Sequence, residues 1–141
     1  MIFVLDTSVA VKWVLFEADT DKAIALRADI QNQIHEVLAP DIWPIEIGNG
    51  LTKAERKGIV SLGDADHLLA DVLSTPPQLH SSLLLLRRAV EISSATRHGV
   101  YDCLYVALAE REGCELVTAD DKLIRNLRAA FPFITPLVSM P

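Results

Sequence analysis

The chain lacks long apolar segments and contains few cysteines. None of its apolar runs approaches the ~20 residues that a membrane-spanning helix needs. The N-terminal segment MIFVLDTSV has no basic flank and reaches an aspartate too early for a signal peptide. Cys103 and Cys114 could form a disulfide, but two buried reduced thiols agree better with their apolar helical surroundings. We therefore expect a cytoplasmic protein without a membrane segment.

Positive charge is also scarce. The formal net charge is −6 and the isoelectric point is about 5.1, which argues against nucleic-acid binding by a uniformly basic surface. A nuclease remains possible, because the carboxylates of a metal site contribute negative charge and bound cations reverse its local sign. The basic residues are clustered, and solvated helix faces explain most of these clusters.

Apolar runs and turn residues alternate in the pattern of an α/β protein. The predicted strands cover residues 2–5, 37–39, 115–118 and 133–134, with at most a stub at 79–80. The predicted helices cover about 9–16, 20–34, 41–57, 64–73, 82–97, 102–112 and 120–130, with Asp41 as the cap of the third. This order predicts one domain over residues 1–141, with a short, mainly parallel sheet flanked by helices. The helical pair at 41–74, which has no strand between its members, is expected to protrude as an arm.

Four acidic residues stand out by position. Asp6 and Asp120 follow predicted strands and, taken alone, could each cap a helix; Asp102 lies near a helix start, where it could cap the helix or compensate its dipole. Glu46 is harder to explain in this way, because its helical neighbours are mostly apolar. Asp121, beside Asp120, is a second candidate for the last position.

Together, these acids predict a site. Ligands of parallel sheets bind outside the carboxyl ends of the strands, which is where Asp6 and Asp120 lie. Two carboxylates at ~4 Å repel each other by roughly 4 kcal/mol at an effective dielectric of 20. A fold that gathers four of them is therefore either wrong as predicted or holds hard divalent cations such as Mg²⁺ or Mn²⁺. The four scattered histidines show no ligand spacing and are interpreted as surface or core residues.

Several motifs resemble those of the PIN-domain family, and in particular of VapC-type ribonuclease toxins from toxin–antitoxin modules. These motifs are VLDTSV at 4–9, Lys12-Trp13, PIEIGNGL at 44–51, VYDCLYVALAE at 100–110 and LVTADDKL at 116–123. They span essentially the whole chain in the family's order. The resemblance implies a PIN-like α/β fold.

The resemblance also implies roles for individual residues. The family's acidic quartet matches Asp6, Glu46, Asp102 and Asp120. Thr7 or Ser8 matches the hydroxyl after the first aspartate, and Thr118 the hydroxyl before the last. Asn49 falls where an asparagine often supports the glutamate, and the Thr-Ala-Asp register favours Asp120 over Asp121.

The implied activity is Mg²⁺-dependent cleavage of RNA by metal-activated water, with Mn²⁺ as a possible substitute. Asp6 and Asp102 would be the principal metal ligands, and Glu46 would bind metal through water or orient the attacking water. Asp120 would complete the site or hold a second ion. Products with a 5′-phosphate and a 3′-hydroxyl are expected. Candidate contacts to the RNA backbone are Lys12, Lys53 and Arg56. Trp13 and Trp43 could stack on bases, although packing inside the protein explains them better.

Partners follow from the same resemblance: an RNA substrate such as tRNA or rRNA, a VapB-type antitoxin that blocks the site, and a second copy in a homodimer. Two alternatives differ in class. A catalytically silent PIN-like module for RNA binding or assembly would be marked by loss of an acid, yet all four are present. A haloacid-dehalogenase-type phosphatase would need an aspartate where this chain has Ser8.

Overall fold

The computed structural model describes all residues from Met1 to Pro141. Its strands are β1 (Ile2–Leu5), β2 (Glu36–Pro40), β3 (Gln78–His80), β4 (Glu115–Thr118) and β5 (Ile134–Pro136). Its helices are α1 (Thr7–Ala10), α2 (Thr20–Gln31), α3 (Trp43–Arg56), α4 (Asp64–Leu73), α5 (Ser82–Thr96), α6 (Val100–Glu112) and α7 (Asp121–Leu127). Short 3-10 turns cover Val11–Trp13 and Leu137–Ser139. The predicted α/β class with a parallel central sheet is confirmed.

The sheet has five parallel strands in the order β3-β2-β1-β4-β5. Phe3, Val4 and Leu5 are fully buried, because β1 is the central strand and both of its faces are covered. From β1 the chain first builds outward through β2 and β3. It then crosses to the other side of β1 to add β4 and β5. The strand order therefore reverses between β1 and β4, and a crevice is expected outside their carboxyl ends.

Helix α6 carries Asp102 in its first turn. Its residues from Cys103 to Ala109 are all buried, as expected for a helix that is apolar on nearly every side. It packs along α5 and against the central strands of the sheet. α3 and α4 pack against each other, and α3 places Trp43, Ile47 and Leu51 in the core.

Some local predictions are wrong. The expected helix over residues 9–16 is a single turn that starts at Thr7, followed by a 3-10 turn. Asp41 does not cap α3; its carboxylate accepts a hydrogen bond from the backbone N–H of Ser82 at the start of α5. The stub at 79–80 is a regular strand paired with β2.

The predictions for the two cysteines and for membrane-spanning segments can be compared with the structure. Cys103 and Cys114 are both free thiols, the first buried and the second only partly so. No helix combines the length and the apolar character that crossing a bilayer requires.

Candidate active site at the strand switch point

Asp6 is the most buried of the four predicted acids, with 4% of its surface exposed. Its backbone N–H donates to the Val117 carbonyl on β4 at 3.0 Å, which fixes the residue at the carboxyl edge of the sheet. Although Asp6 stands at the N-cap of α1, its side chain makes no capping bond. Its carboxylate is bonded by Ser8 and not by Thr7. The capping interpretation of Asp6 is therefore wrong.

Two hydroxyl groups hold one oxygen of this carboxylate. Ser8 Oγ donates to Asp6 Oδ2 at 2.6 Å, and Thr118 Oγ1 donates to the same atom at 2.8 Å. The Ala119 N–H donates to Ser8 Oγ at 2.9 Å, and the Asp120 N–H donates to Thr118 Oγ1 at 3.1 Å. Each hydroxyl thus accepts a hydrogen bond from a backbone N–H and donates its own proton to the Asp6 carboxylate. Oδ2 is thus fixed, and Oδ1 is left for another partner.

Glu46 lies in the first turn of α3 and is held from α6. The hydroxyl of Tyr105, a fully buried residue, donates to Glu46 Oε1 at 2.6 Å. Asn49, expected to support Glu46, has an exposed side chain and forms no hydrogen bond with it. The support comes instead from a residue that is 59 positions away in the chain.

Asp102 is in the first turn of α6, whose N-cap is Gly99, and its side chain does not cap the helix. The carboxylate is 30% exposed, and its Oδ2 lies 2.6 Å from Nε2 of the buried His98. Its other oxygen has no protein partner. The capping interpretation is wrong for this residue too.

The three acids act on one another electrostatically. The pKa of Asp6 is raised to about 7, chiefly by burial; the hydrogen bonds from Ser8 and Thr118 lower it, and the charges of Asp102 and Glu46 raise it. Burial also raises the pKa of Glu46; the Tyr105 hydrogen bond lowers it, and the Asp102 charge raises it. None of the three carboxylates pairs with a lysine or arginine. The cluster therefore carries uncompensated negative charge at neutral pH.

Asp120 behaves differently. Its Oδ1 accepts hydrogen bonds from the backbone N–H groups of Lys122 and Leu123 at 3.0 and 3.1 Å, so it caps α7. Its charge is not among the causes that raise the pKa of Asp6. The capping interpretation is confirmed here, although Oδ2 remains free of hydrogen bonds. Asp121 is exposed in the first turn of the same helix.

The donor set suits a magnesium ion that keeps much of its water. Mg²⁺ prefers carboxylate oxygens and is commonly held by one or two of them, with water completing the shell. As the side chains stand, no three Asp, Glu, His or Cys residues are close enough to enclose an ion. Asp6 and Asp102 each nevertheless offer one oxygen without a protein hydrogen bond, beside a carboxylate cluster that lacks positive charge. These residues fit an open, hydrated cation site rather than a closed cage.

The predicted RNA contacts have different surroundings. Lys12 Nζ lies 3.3 Å from Glu17, and the lysine side chain is only 11% exposed. Lys53 and Arg56 are exposed on α3 and form no ion pair. Both tryptophans are buried in the structure, where Trp13 Nε1 donates to the Ala23 carbonyl. The preferred interpretation of the tryptophans as packing residues agrees with this placement.

Sequence reasoning missed Tyr105 and His98. Tyr105 lies three residues after Asp102, on the apolar α6, where a tyrosine hydroxyl needs a buried partner. That requirement was a usable signal. His98 lacks metal-ligand spacing like the other histidines, but it precedes Asp102 by four residues at a helix start, a spacing at which side chains meet.

Comparison with known proteins agrees with this architecture. The PIN domain family matches residues 3–128. A protein named ribonuclease VapC3 from Pyrobaculum aerophilum is 34% identical over 110 residues, which are 74% of this chain and 79% of that protein. A ribonuclease VapC3 from Mycobacterium tuberculosis is 30% identical over 123 residues, covering 86% of this chain and 85% of that protein. The chain therefore belongs to the PIN-domain family, and within it to the VapC type.

Solved structures show the same fold. PAE2754 from Pyrobaculum aerophilum superimposes with a TM-score of 0.64 at 27% identity, over 98% of this chain and 93% of that one. A VapBC2 structure from Rickettsia felis, bound to a DNA fragment from its promoter, gives a TM-score of 0.62 at 19% identity. That match covers 96% of this chain and 97% of the other.

Proposed function

We propose that this protein is a Mg²⁺-dependent endoribonuclease and the toxin of a toxin–antitoxin module. The observation that carries the proposal is the cluster of Asp6, Glu46 and Asp102 at the strand switch point. The charges of Asp102 and Glu46 raise the pKa of Asp6, the charge of Asp102 raises that of Glu46, and none of the three acids pairs with a lysine or arginine. Repulsion between these carboxylates lowers the stability of the protein when nothing is bound, and a divalent cation would offset it. The relatives named ribonuclease VapC3 support RNA as the substrate.

Each acid has a distinct role in this proposal. Asp6 and Asp102 would hold the cation through the oxygens that no protein group occupies, with Mn²⁺ as a substitute for Mg²⁺. A bound cation would polarise the scissile phosphate and lower the pKa of the attacking water. Glu46, fixed by Tyr105, orients that water and accepts its proton. Asp120 contributes through Oδ2 while Oδ1 keeps its cap, so its share is smaller.

In this proposal the RNA substrate binds along α3. Lys53 follows Glu46 by seven residues and lies on the same helix face, about 10 Å farther along the axis. Gly50 lies between them, and a Cβ there would meet only Val11, at 3.6 Å. Lys53 can therefore contact a backbone phosphate next to the one being cleaved, and Arg56 can extend the contact. Single-stranded loops of tRNA or rRNA fit such an open surface.

A groove beside α3 suits the antitoxin. It has a volume of about 230 Å³ and is lined by Val11, Leu15, Glu17, Gly50, Lys53, Ala54, Lys57 and Ile59. A VapB-type antitoxin with an apolar segment would fill the groove and cover Lys53, and so block access to the site. The exposed Leu83 and Leu84 on α5 would lie at the interface of a homodimer.

The test is cleavage of total cellular RNA by the purified chain, free of antitoxin, with Mg²⁺ or Mn²⁺. Discrete fragments that disappear with EDTA and with Asp6→Asn support the proposal, and their mapped ends identify the substrate. A folded, metal-loaded protein that leaves tRNA and rRNA intact would favour the silent binding module instead.

A further inference from the structure

We propose that His98 and Asn126 form a positioning relay that orients Asp102 for the catalytic cation. His98 is not one of the predicted acids, but its Nε2 lies 2.6 Å from Asp102 Oδ2. On the opposite side of the ring, Nδ1 lies 3.2 Å from Nδ2 of Asn126 on α7. Both ring nitrogens of a buried histidine are thus engaged, and one of them holds a predicted metal ligand.

The direction of the two hydrogen bonds follows from the chemistry of the amide. An amide nitrogen can only donate, so Asn126 Nδ2 requires Nδ1 of His98 to be the acceptor. The neutral imidazole then carries its proton on Nε2, from which it donates to Asp102 Oδ2. Asn126 therefore selects the tautomer that holds the carboxylate.

The backbone around His98 keeps the ring in place. The His98 carbonyl accepts hydrogen bonds from Ser93 Oγ at 2.5 Å and from the Cys103 thiol at 3.7 Å. Thr96 Oγ1 accepts from the His98 N–H at 3.4 Å. The histidine is 5% exposed, so its ring has little freedom to rotate away.

The consequence for Asp102 resembles that of the two hydroxyls on Asp6. Oδ2 is held by His98, Oδ1 has no protein hydrogen bond, and the side chain is 30% exposed. In a carboxylate that binds a metal through one oxygen, hydrogen bonds to the other oxygen commonly set its orientation. Losing them costs about 10–100-fold in metal affinity. His98 thus acts on the cation through Asp102, without touching it.

This inference rests on the proposed function. Measuring Mn²⁺ binding directly distinguishes a failure of the relay from a failure of the proposed function. Dissociation constants would be measured by electron paramagnetic resonance for the wild-type chain, Asp6→Asn, His98→Leu, His98→Gln and Asn126→Ala. His67→Leu is the matched control, since His67 is exposed on α4. Circular dichroism and thermal melting establish which variants are folded.

We expect His98→Leu to weaken Mn²⁺ binding about 10–100-fold. His98→Gln, which keeps an N–H donor facing Asp102, should stay within about threefold of wild type. Asn126→Ala, at an exposed position that leaves His98 in place, should weaken binding about threefold to tenfold. RNA cleavage by His98→Leu should recover as the metal concentration rises, which a purely structural defect would not show.

Wild-type affinity in folded His98→Leu would overturn the relay, as would equal losses in His98→Gln and His98→Leu. If His98→Leu does not fold, Asn126→Ala decides, and wild-type affinity there contradicts the inference. A wild-type chain that binds no Mn²⁺ in an Asp6-dependent way removes the proposed function itself. Asp6-dependent binding that is insensitive to His98 and Asn126 removes only the relay.

Discussion

Asp6 and Asp120 both occupy the N-cap position after a parallel strand, yet their carboxylates have different partners. Asp120 accepts two backbone N–H groups and caps α7. Asp6 leaves the start of α1 uncapped and accepts two hydroxyl hydrogen bonds instead. The first strand end is buried beside two other acids, whereas the second is partly open.

The comparison shows that position at a helix start does not decide what a carboxylate does. Ser8 and Thr118 supply donors that compete with the amides of α1, and each is itself fixed by a backbone N–H. A capping carboxylate improves stability by about 1 kcal/mol. A buried carboxylate without a cation lowers stability, which is the expected cost of a site built to bind one.

The largest effect is expected on activity when the buried strand end is neutralised. Asp6→Asn keeps the size of the side chain and removes its charge, so we expect RNA cleavage to fall by about 10³-fold or more, equivalent to roughly 4 kcal/mol. Asp102→Asn should behave similarly. Asp66→Asn, at an exposed position on α4, is the matched control. Cleavage would be measured under single-turnover conditions. If both site variants kept more than a tenth of wild-type activity, the buried strand end would not be the catalytic one.

The second prediction concerns the pH dependence of stability without metal. The pKa of Asp6 is about 7 in the folded protein against an ordinary value of 3.8, so between these values the native state holds a proton that the unfolded chain has lost. The free energy of unfolding should therefore be highest below pH ~4 and fall as the pH rises through ~7.

The size of this effect is about 4 kcal/mol at most, since one pKa unit corresponds to about 1.4 kcal/mol. In urea titrations with EDTA, Asp6→Asn should gain roughly 2 kcal/mol or more over wild type between pH 4 and pH 8. A stability difference between the two proteins that does not change with pH would contradict the assigned burial. Mg²⁺ should raise the melting temperature of wild type, but not that of Asp6→Asn.

The third prediction concerns the support of Glu46. Tyr105→Phe removes the only protein donor to Glu46 while keeping the buried ring, so we expect a stability loss of about 1–2 kcal/mol. Cleavage should fall about tenfold, because the carboxylate loses its fixed orientation. Asn49→Ala should leave both quantities near wild type, since its side chain is exposed. The opposite ranking of these variants would restore Asn49 as the supporting residue.

The smallest effects are expected at the capping strand end. Asp120→Asn keeps a capping oxygen, so its stability should match wild type, while cleavage falls about tenfold through loss of a more distant charge. Asp120→Ala also loses the cap and about 1 kcal/mol of stability. A loss of activity in Asp120→Asn as large as that in Asp6→Asn would make the two strand ends equivalent, against this account.

Local patterns located β1, β2, β4 and β5, but they reduced β3 to a stub and did not predict the strand order. The apolar run of β1 ending at Asp6, and the run of β4 ending at Thr118, mark two adjacent strand ends directly. The motifs then located all four acids. Local patterns did not separate the capping acid from the others, because that depends on which donors lie nearby in space.

The missing features are contacts between distant elements. Tyr105 and Glu46 are 59 positions apart, and Asn126 and His98 are 28 apart. Asp41 failed as a cap for the same reason, since its partner, the Ser82 N–H, lies 41 residues later. Periodicity identifies which face of a helix is buried, but it does not identify the residue that meets it across the core.

The most direct test of the proposed cation site at Asp6 and Asp102 is a crystal grown or soaked with Mn²⁺ and measured for anomalous scattering. We expect a manganese peak beside Asp6 Oδ1 and Asp102 Oδ1, with Glu46 near it. Ser8 and Thr118 should still donate to Asp6 Oδ2, and His98 should still donate to Asp102 Oδ2. A peak held mainly by Asp120, or no peak at the switch point at a saturating Mn²⁺ concentration, would contradict it.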